Sequence, residues 1–184
     1  MKKFIEHKLF ITKVRNIFEK SMLNFNFVEH TYSIDTYGSD IIYKNNDLYI
    51  KISANTHPMD GYYSYNIILG EGSSDDFFEY DWNSIALWRL INYKSKNDNA
   101  GPYEFPSDTD AEQNIINAHN DLVKYGNDFL NNKIEIFITV RKLQNRDREP
   151  YKIHKPQKDG RYKTFIEKIS SKMKKKYSWT VYIS

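Results

Sequence analysis

An α+β fold is predicted for this chain, with a mostly antiparallel sheet of four to six strands packed against two or three helices. Two long segments carry apolar residues at helical spacing, one near the start and one after the middle of the chain. Between them lie several short segments rich in Ile and Tyr, separated by turn residues. Strands joined by short turns favour antiparallel pairing over a parallel βαβ series.

The first helix is predicted over roughly residues 5 to 24. Its apolar positions share one helical face, since they are spaced by 3, 1, 4 and 3 residues: Val14, Ile17, Phe18, Met22 and Phe25. An apolar stripe of this kind must pack against another element, and we expect that element to be the sheet.

Three strand-like stretches follow, "FVEHTYSID", "DIIYKNNDLYIKIS" and "YYSYNIILG". Asn45 and Asn46 mark a hairpin turn in the second stretch, because Asn is favoured in tight turns. After the turn, apolar and more polar residues alternate, with Leu48, Ile50 and Ile52 set against Tyr49, Lys51 and Ser53. We therefore expect the first set to face the core and the second to face water.

The segment "NSIALWRLINYK" is predicted to form a second helix, and residues 109 to 130 a third, after a capping box from Ser107 to Asp110. The apolar residues of the third helix recur at 3, 4, 3 and 4: Ile115, Ala118, Leu122, Tyr125 and Phe129. The next segment, "KIEIFITVRKL", alternates Ile and Val with other residues and is predicted to be a further strand of the same sheet.

Charge divides the chain into an α+β body, residues 1–140, and a C-terminal extension, residues 141–184. The extension holds 14 basic against 4 acidic residues, a net charge of +10, which leaves the body at −7. A short basic helix and the alternating "YSWTVYI" are predicted in the extension, and this last strand is expected to return to the sheet.

Composition excludes several classes of function. Cysteine is absent, so neither a disulfide framework nor a thiolate site can form. No apolar window is long enough to cross a membrane, and no export signal is recognised, so a cytoplasmic protein without a membrane partner is expected.

The glycine turn "GEGSSDDFF" does not fit a phosphate-binding loop. It lacks the lysine of a P-loop and the third glycine of a dinucleotide fingerprint. Asp75 and Asp76 would also place negative charge where a phosphate would have to bind.

The five histidines include no pair at helical metal-binding spacing, so no metal site is expected. No Gly-x-Ser-x-Gly motif is present, and no cofactor or catalytic residue is predicted. An enzyme with a dispersed site, for example around His57, Asp60 and Glu79, is left open as a third interpretation.

Two segments are candidate binding sites. The first combines acids and rings, and its predicted partner-binding residues are Asp75, Asp76, Phe78, Glu79, Asp81 and Trp82. Rings can anchor a protein partner and acids can steer a basic one, although the same rings can instead belong to the core. The second is the basic extension, where Arg161, Lys172, Lys174, Lys175 and Lys176 are predicted to contact nucleic acid. A simply solvated basic face is its alternative.

Three stretches of the body resemble small uncharacterised bacterial proteins, including immunity proteins encoded beside polymorphic and contact-dependent toxins. These are "VRNIFEKSMLNFNF", "SDIIYKNNDLYIKIS" followed by "YNIILGEG", and "HNDLVKYGNDFLNNKIEIFI". The resemblance covers roughly residues 13–140 and implies a non-enzymatic cytoplasmic protein whose partner is a cognate toxin domain. The leading interpretation is therefore a protein-binding module, with nucleic-acid binding through the extension as the second.

Overall fold

Six antiparallel strands form the main sheet of this protein, so the predicted α+β class is confirmed. The computed structural model describes residues 3–72, 82–146, 148, 152–157 and 161–166. Its elements are α1 (His7–Asn24), β1 (Val28–Ile34), β2 (Gly38–Asn45), β3 (Leu48–Asn55), β4 (Ser64–Glu71), β5 (Ser84–Ala86), α2 (Leu87–Ser95), β6 (Tyr103–Glu104), α3 (Ala111–Tyr125), α4 (Asn127–Leu130), α5 (Glu135–Asn145), β7 (Lys152–Pro156) and β8 (Tyr162–Ile166).

The sheet is a meander whose strands follow the order β1-β2-β3-β4-β5, with β6 also pairing with β4. Asn45 pairs with Leu48, so the turn between β2 and β3 consists of Asn46 and Asp47, one residue later than predicted. Asn46 has a φ of 51°, a left-handed conformation that Asn tolerates better than most residues. The short turn fixes the register of the two central strands.

Helices α1 and α3 contribute the apolar stripes that the sequence predicts. In α1 the buried residues are Phe10, Ile11, Val14, Phe18 and Met22, and in α3 they are Ala111, Ile115, Ala118 and Leu122. Helix α1 contacts β1, β2 and α3, and both stripes join the core formed by one face of the sheet. Burying each large side chain contributes about 1.5–3 kcal/mol.

The opposite face of the sheet is not simply exposed to water, as the position of Tyr49 shows. This residue was expected to face solvent, but its side chain is fully buried. Its ring lies against Gly70 of the neighbouring strand, and its hydroxyl donates to Oδ1 of Asn83 at 2.7 Å. The expectation was wrong because the segment at Asn83 covers this end of the second face.

Residues 135–145 form a helix, so the strand predicted there is wrong. Phe137, Val140 and Arg141 lie on one helical face and are buried, and Phe137 and Val140 join the core. Glu135 in the first turn and Lys142 in the last complement the helix dipole. The alternation of Ile and Val was misleading because a short apolar run fits a buried helix and a strand equally well.

The second predicted helix begins later than expected, since residues 84–86 form β5 and α2 runs from Leu87 to Ser95. The third predicted helix divides at Gly126 into α3 and α4. At its start, Asp110 Oδ1 accepts the main-chain N–H and the hydroxyl of Ser107, at 2.7 and 2.8 Å. This is the hydrogen bond that a capping box predicts between these two residues, but the helix itself begins after Asp110, which occupies the N-cap position.

The C-terminal extension contributes β7 and β8, which form a separate two-stranded antiparallel sheet. Helix α5 continues across residue 141, so the change in charge at 140/141 does not coincide with the end of an element. The last strand predicted in "YSWTVYI" lies outside the described residues.

Candidate protein-binding surfaces

Strand β1 lies at one end of the main sheet, and all seven of its residues are exposed. Among the described residues, no strand pairs with its outer side. Its larger apolar residues remain accessible, with Val28 53% exposed, Tyr32 51% and Ile34 42%. An exposed strand edge with such side chains is a surface onto which another strand can pair.

The hydrogen bonding of the β1–β2 hairpin determines which main-chain groups of β1 point outward. The N–H of Asp35 donates to the carbonyl of Gly38 at 2.9 Å, which makes these two residues a hydrogen-bonded pair. Because such pairs alternate along antiparallel strands, Tyr32 and Ile34 do not use their N–H and C=O groups in bonds to β2. These groups face the open edge. A bulge between residues 29 and 31 ends the regular pairing toward the N-terminal end of β1.

The helix behind β1 holds this edge in a defined position. Nε and Nη2 of Arg15 in α1 donate to the two carboxylate oxygens of Glu29 at 2.8 and 2.6 Å. The same guanidinium lies 4.2 Å from the centroid of the Tyr32 ring. Hydrogen bonding to Glu29 raises the pKa of Arg15 above its already high ordinary value. Arg15 therefore links α1 to two residues of β1, Glu29 and Tyr32.

The other end of the sheet is closed by side chains of α5. Three of them donate to three successive carbonyls: Asn145 Nδ2 to Trp82 at 2.9 Å, Arg141 Nη1 to Asn83 at 3.4 Å and Gln144 Nε2 to Ser84 at 3.2 Å. These three carbonyls are therefore bonded within the chain. The two ends of the sheet therefore differ, because α5 covers one end, whereas no described strand pairs with the outer side of β1.

The glycine turn is explained by packing rather than by ligand binding. A Cβ atom on Gly70 would overlap the ring of Tyr49, so glycine is needed for the close approach of β3 and β4. Gly72 has a φ of 90°, which also favours glycine. Between them, the carboxylate of Glu71 accepts from Nη1 of Arg141 at 2.7 Å.

The acid and aromatic segment is described only at its end. Trp82 is 1% exposed, and Cζ of Arg148 lies 5.0 Å from its ring centroid. The side chain of Trp82 therefore belongs to the interior and presents no anchor at the surface of this structure. The other predicted partner-binding residues lie outside the described residues: Asp75, Asp76, Phe78, Glu79 and Asp81.

Of the residues predicted to contact nucleic acid, the structure describes only Arg161, which is exposed. The carbonyl of Arg161 accepts from the N–H of Gln157 at 2.7 Å at the base of the β7–β8 turn. The remaining four, Lys172, Lys174, Lys175 and Lys176, lie outside the described residues. Nucleic-acid binding stays a prediction.

Two histidine side chains, those of His7 and His57, make hydrogen bonds within the fold. Nδ1 of His7 lies 2.9 Å from Oγ of Ser39 and Nε2 lies 2.9 Å from Oγ1 of Thr56, and burial lowers the pKa of His7. Nδ1 of His57, which the sequence placed in a dispersed catalytic site, accepts the N–H of Met59 at 3.2 Å in a 3-10 turn. In the part of the chain that the structure describes, no three His, Asp or Glu side chains form a group that could hold a metal ion.

Sequence reasoning identified β1 as a strand but not as an exposed edge. Val28, His30, Tyr32 and Ile34 alternate with polar residues, a pattern typical of a half-buried strand. The exposed edge could have been predicted from the position of β1, because the first strand of a meander pairs with the next strand on one side and leaves its other side open.

The chain matches no protein-family model, and no curated protein or solved structure is significantly similar to it. Among the described residues, no helix is both long and apolar enough to cross a membrane.

Proposed function

We propose that this chain is a protein-binding module that pairs with a partner through the outer edge of β1. The observation that supports this most is the edge strand β1, all seven residues of which are exposed and whose outward main-chain groups belong to Tyr32 and Ile34. Strand addition uses such groups for affinity and alternate side chains for specificity. Tyr32 and Ile34 are alternate residues, so they present their side chains on the same side of β1.

A protein partner suits this surface better than a nucleic acid. The charged groups beside the edge include Glu29 and Asp35 as well as Arg15, and Arg15 is already paired with Glu29. A nucleic-acid site needs an excess of uncompensated cations. An extended partner segment with β-branched or aromatic residues would instead cover Tyr32 and Ile34 and satisfy the open edge.

The partner class that we propose is the toxic domain of a protein encoded next to this one, which the chain would neutralise in the cytoplasm. The resemblance of residues 13–140 to immunity proteins supports this choice. To neutralise a toxin, the chain needs no catalytic activity of its own. Binding that covers a strand edge of the toxin or the rim of its active site is sufficient to block it.

The test uses the product of the adjacent gene. We expect this chain to restore growth of cells that express that protein, and to bind a catalytically inactive form of it in calorimetric titration. Ile34→Pro removes one outward N–H and one exposed apolar side chain, and Tyr32→Lys replaces a ring by a charge. Each should weaken binding about tenfold or more.

Met59→Lys is the matched control, because Met59 is 86% exposed but lies outside the sheet. It should rescue and bind like the unchanged chain. Full rescue by a folded Ile34→Pro variant would contradict strand addition at β1, and absence of any binding to the adjacent gene product would contradict the toxin assignment.

A further inference from the structure

The open edge of β1 is complementary to a second copy of itself. Its outward main-chain groups belong to Tyr32 and Ile34, which carry an aromatic and a β-branched side chain. Within the part of the chain that the structure describes, no strand pairs with these groups. Because an open strand edge is a template for another strand, a second β1 can occupy it.

Antiparallel pairing of two copies has one register that uses all of these groups. Tyr32 of each copy then lies opposite Ile34 of the other, and Ser33 lies opposite Ser33 on the twofold axis. Each pair of Tyr32 and Ile34 exchanges two main-chain hydrogen bonds. A shift of the register would require His30, which lies at the bulge, or Thr36, which lies outside β1. The regular part of the edge therefore fits this register alone.

The side chains of this register match on the face of the sheet that α1 covers. There the Tyr32 ring of one copy packs on the Ile34 side chain of the other, and aromatic and β-branched pairs of this kind stabilise antiparallel sheets. The two residues are 51% and 42% exposed in the single chain, so both can lose exposed apolar surface. Arg15, which stacks on Tyr32, is already paired with Glu29 in its own chain.

The charges also fit this register. On the other face of the sheet, Asp35 of one copy lies opposite Thr31 of the other, so a carboxylate meets a hydroxyl donor. The Asp35 residues of the two copies lie four positions apart along the paired strands, which is about 14 Å. This separation exceeds the Debye length of about 8 Å in physiological salt, so like charges do not oppose the pairing.

We propose that two copies of this chain pair through β1 as a symmetric dimer with Ser33 on the twofold axis. Both copies use the same edge, so the pair closes on itself and does not propagate. One strand of seven residues from each copy makes a small interface, so we expect a weak dimer with a Kd of about 10–100 µM. The dimer needs no other partner, but it covers the edge that the proposed function uses, and a tighter partner would displace the second copy.

Sedimentation equilibrium of the chain alone measures this association. From about 1 µM to about 500 µM, the weight-average mass should rise from the 22.0 kDa of one chain toward twice that value. The Ile34 amide should exchange fast in the dilute monomer and more slowly in the concentrated dimer, where it donates to Tyr32 of the other copy. The mass of a single chain over the whole range would overturn the proposal. A monomeric chain that still restored growth would overturn the dimer alone.

Charges placed opposite Asp35 test the register. Thr31→Asp puts like charges across the dimer and should weaken it about tenfold, whereas Thr31→Lys puts opposite charges there and should strengthen it. Thr31 is exposed, and circular dichroism checks that both variants fold. Met59→Asp and Met59→Lys are matched controls, since Met59 is exposed and lies outside the sheet, and both should leave the association unchanged. A change in the same direction for Thr31→Asp and Thr31→Lys would overturn this register.

A single thiol locates the twofold axis, because the chain contains no cysteine. In Ser33→Cys the two copies of residue 33 are directly opposite at a Cα separation of about 4.5 Å, within the range of a disulfide. In Thr31→Cys the two thiols are about 14 Å apart along the strands and cannot be bridged in the dimer. Under mild oxidation at about 100 µM protein, Ser33→Cys should form a covalent dimer much faster than Thr31→Cys or Met59→Cys. Equal rates for the three variants would overturn the proposal.

Discussion

Nη1 of Arg141 lies 2.7 Å from a carboxylate oxygen of Glu71, and this contact joins the end of β4 to α5 across 70 positions of the chain. The Arg141 side chain is 2% exposed, and its guanidinium lies 4.8 Å from the centroid of the Phe137 ring one turn earlier. A buried guanidinium needs such a partner, because removing a charge from water is costly. The pair therefore links the closed end of the sheet to the helix that closes it.

Replacing Arg141 with Met should destabilise the fold by about 3–5 kcal/mol, since Glu71 and the carbonyl of Asn83 lose a buried donor. Urea unfolding followed by circular dichroism measures the change. Arg146→Met, at an exposed position just after α5, should change the unfolding free energy by no more than about 0.5 kcal/mol. A similar, small loss in both variants would show that the buried pair is not important for stability.

Gly70→Ala should destabilise the fold by about 1–3 kcal/mol, because a methyl group there displaces the Tyr49 ring. Gly101→Ala is a matched control, since nothing lies within 4 Å of a Cβ atom at that position. In a Tyr49→Leu background, Gly70→Ala should reduce the free energy of unfolding by less, because the ring that the added methyl group would overlap is absent. Equal costs in the two backgrounds would contradict the packing explanation of this glycine.

Some elements of this fold can be predicted from the sequence alone, and others cannot. The stripes of α1 and α3 and the β2–β3 hairpin were predictable because each rests on local periodicity or turn chemistry. The helix at 135–145 was not, because its conformation depends on the groups that it contacts. Arg141, Gln144 and Asn145 reach three carbonyls of residues 82–84 only from one helical face, and no spacing rule encodes that pairing.

The candidate sites were less predictable than the fold for a similar reason. Trp82 was expected to anchor a partner, yet it is buried beneath Arg148. The sequence predicts Tyr32 and Ile34 only as part of a strand, and their exposure follows from the order of strands in the sheet.

Stability should fall as the pH decreases below about 6.5, because burial lowers the pKa of both His7 and His119. Asp35 partly offsets the shift at His7, and a hydrogen bond with Asn120 partly offsets that at His119. The unfolded chain takes up protons first as the pH falls, so the contribution of the neutral histidines is complete above the unfolded pKa of 6.5. It is lost as the pH falls through their folded pKa values.

Urea midpoints between about pH 7.5 and pH 5 measure this dependence. The double variant H7Q/H119Q should show a flatter profile over that range. His30→Gln, which replaces an exposed histidine on β1, should keep the slope of the unchanged chain. A slope that survives in the double variant would assign the pH dependence to other groups.

The last prediction tests the orientation of the β1 backbone independently of any partner. Ser33→Pro removes an N–H that belongs to the hydrogen-bonded Ser33–Asp40 pair, so it should destabilise the hairpin by about 1–3 kcal/mol. Ile34→Pro removes an N–H that faces the open edge, where proline is tolerated, and should cost clearly less. Both changes lie in the same exposed strand, so propensity and loss of surface contacts are closely matched. Urea unfolding gives the two free energies of unfolding, and hydrogen exchange should be slow at the Ser33 amide and fast at the Ile34 amide of the unchanged chain.

If Ile34→Pro proved the more damaging of the two and the Ile34 amide the better protected, the pairing of β1 with β2 would be offset by one residue. The outward groups would then belong to Thr31 and Ser33, and Tyr32 and Ile34 would no longer combine free main-chain groups with exposed side chains.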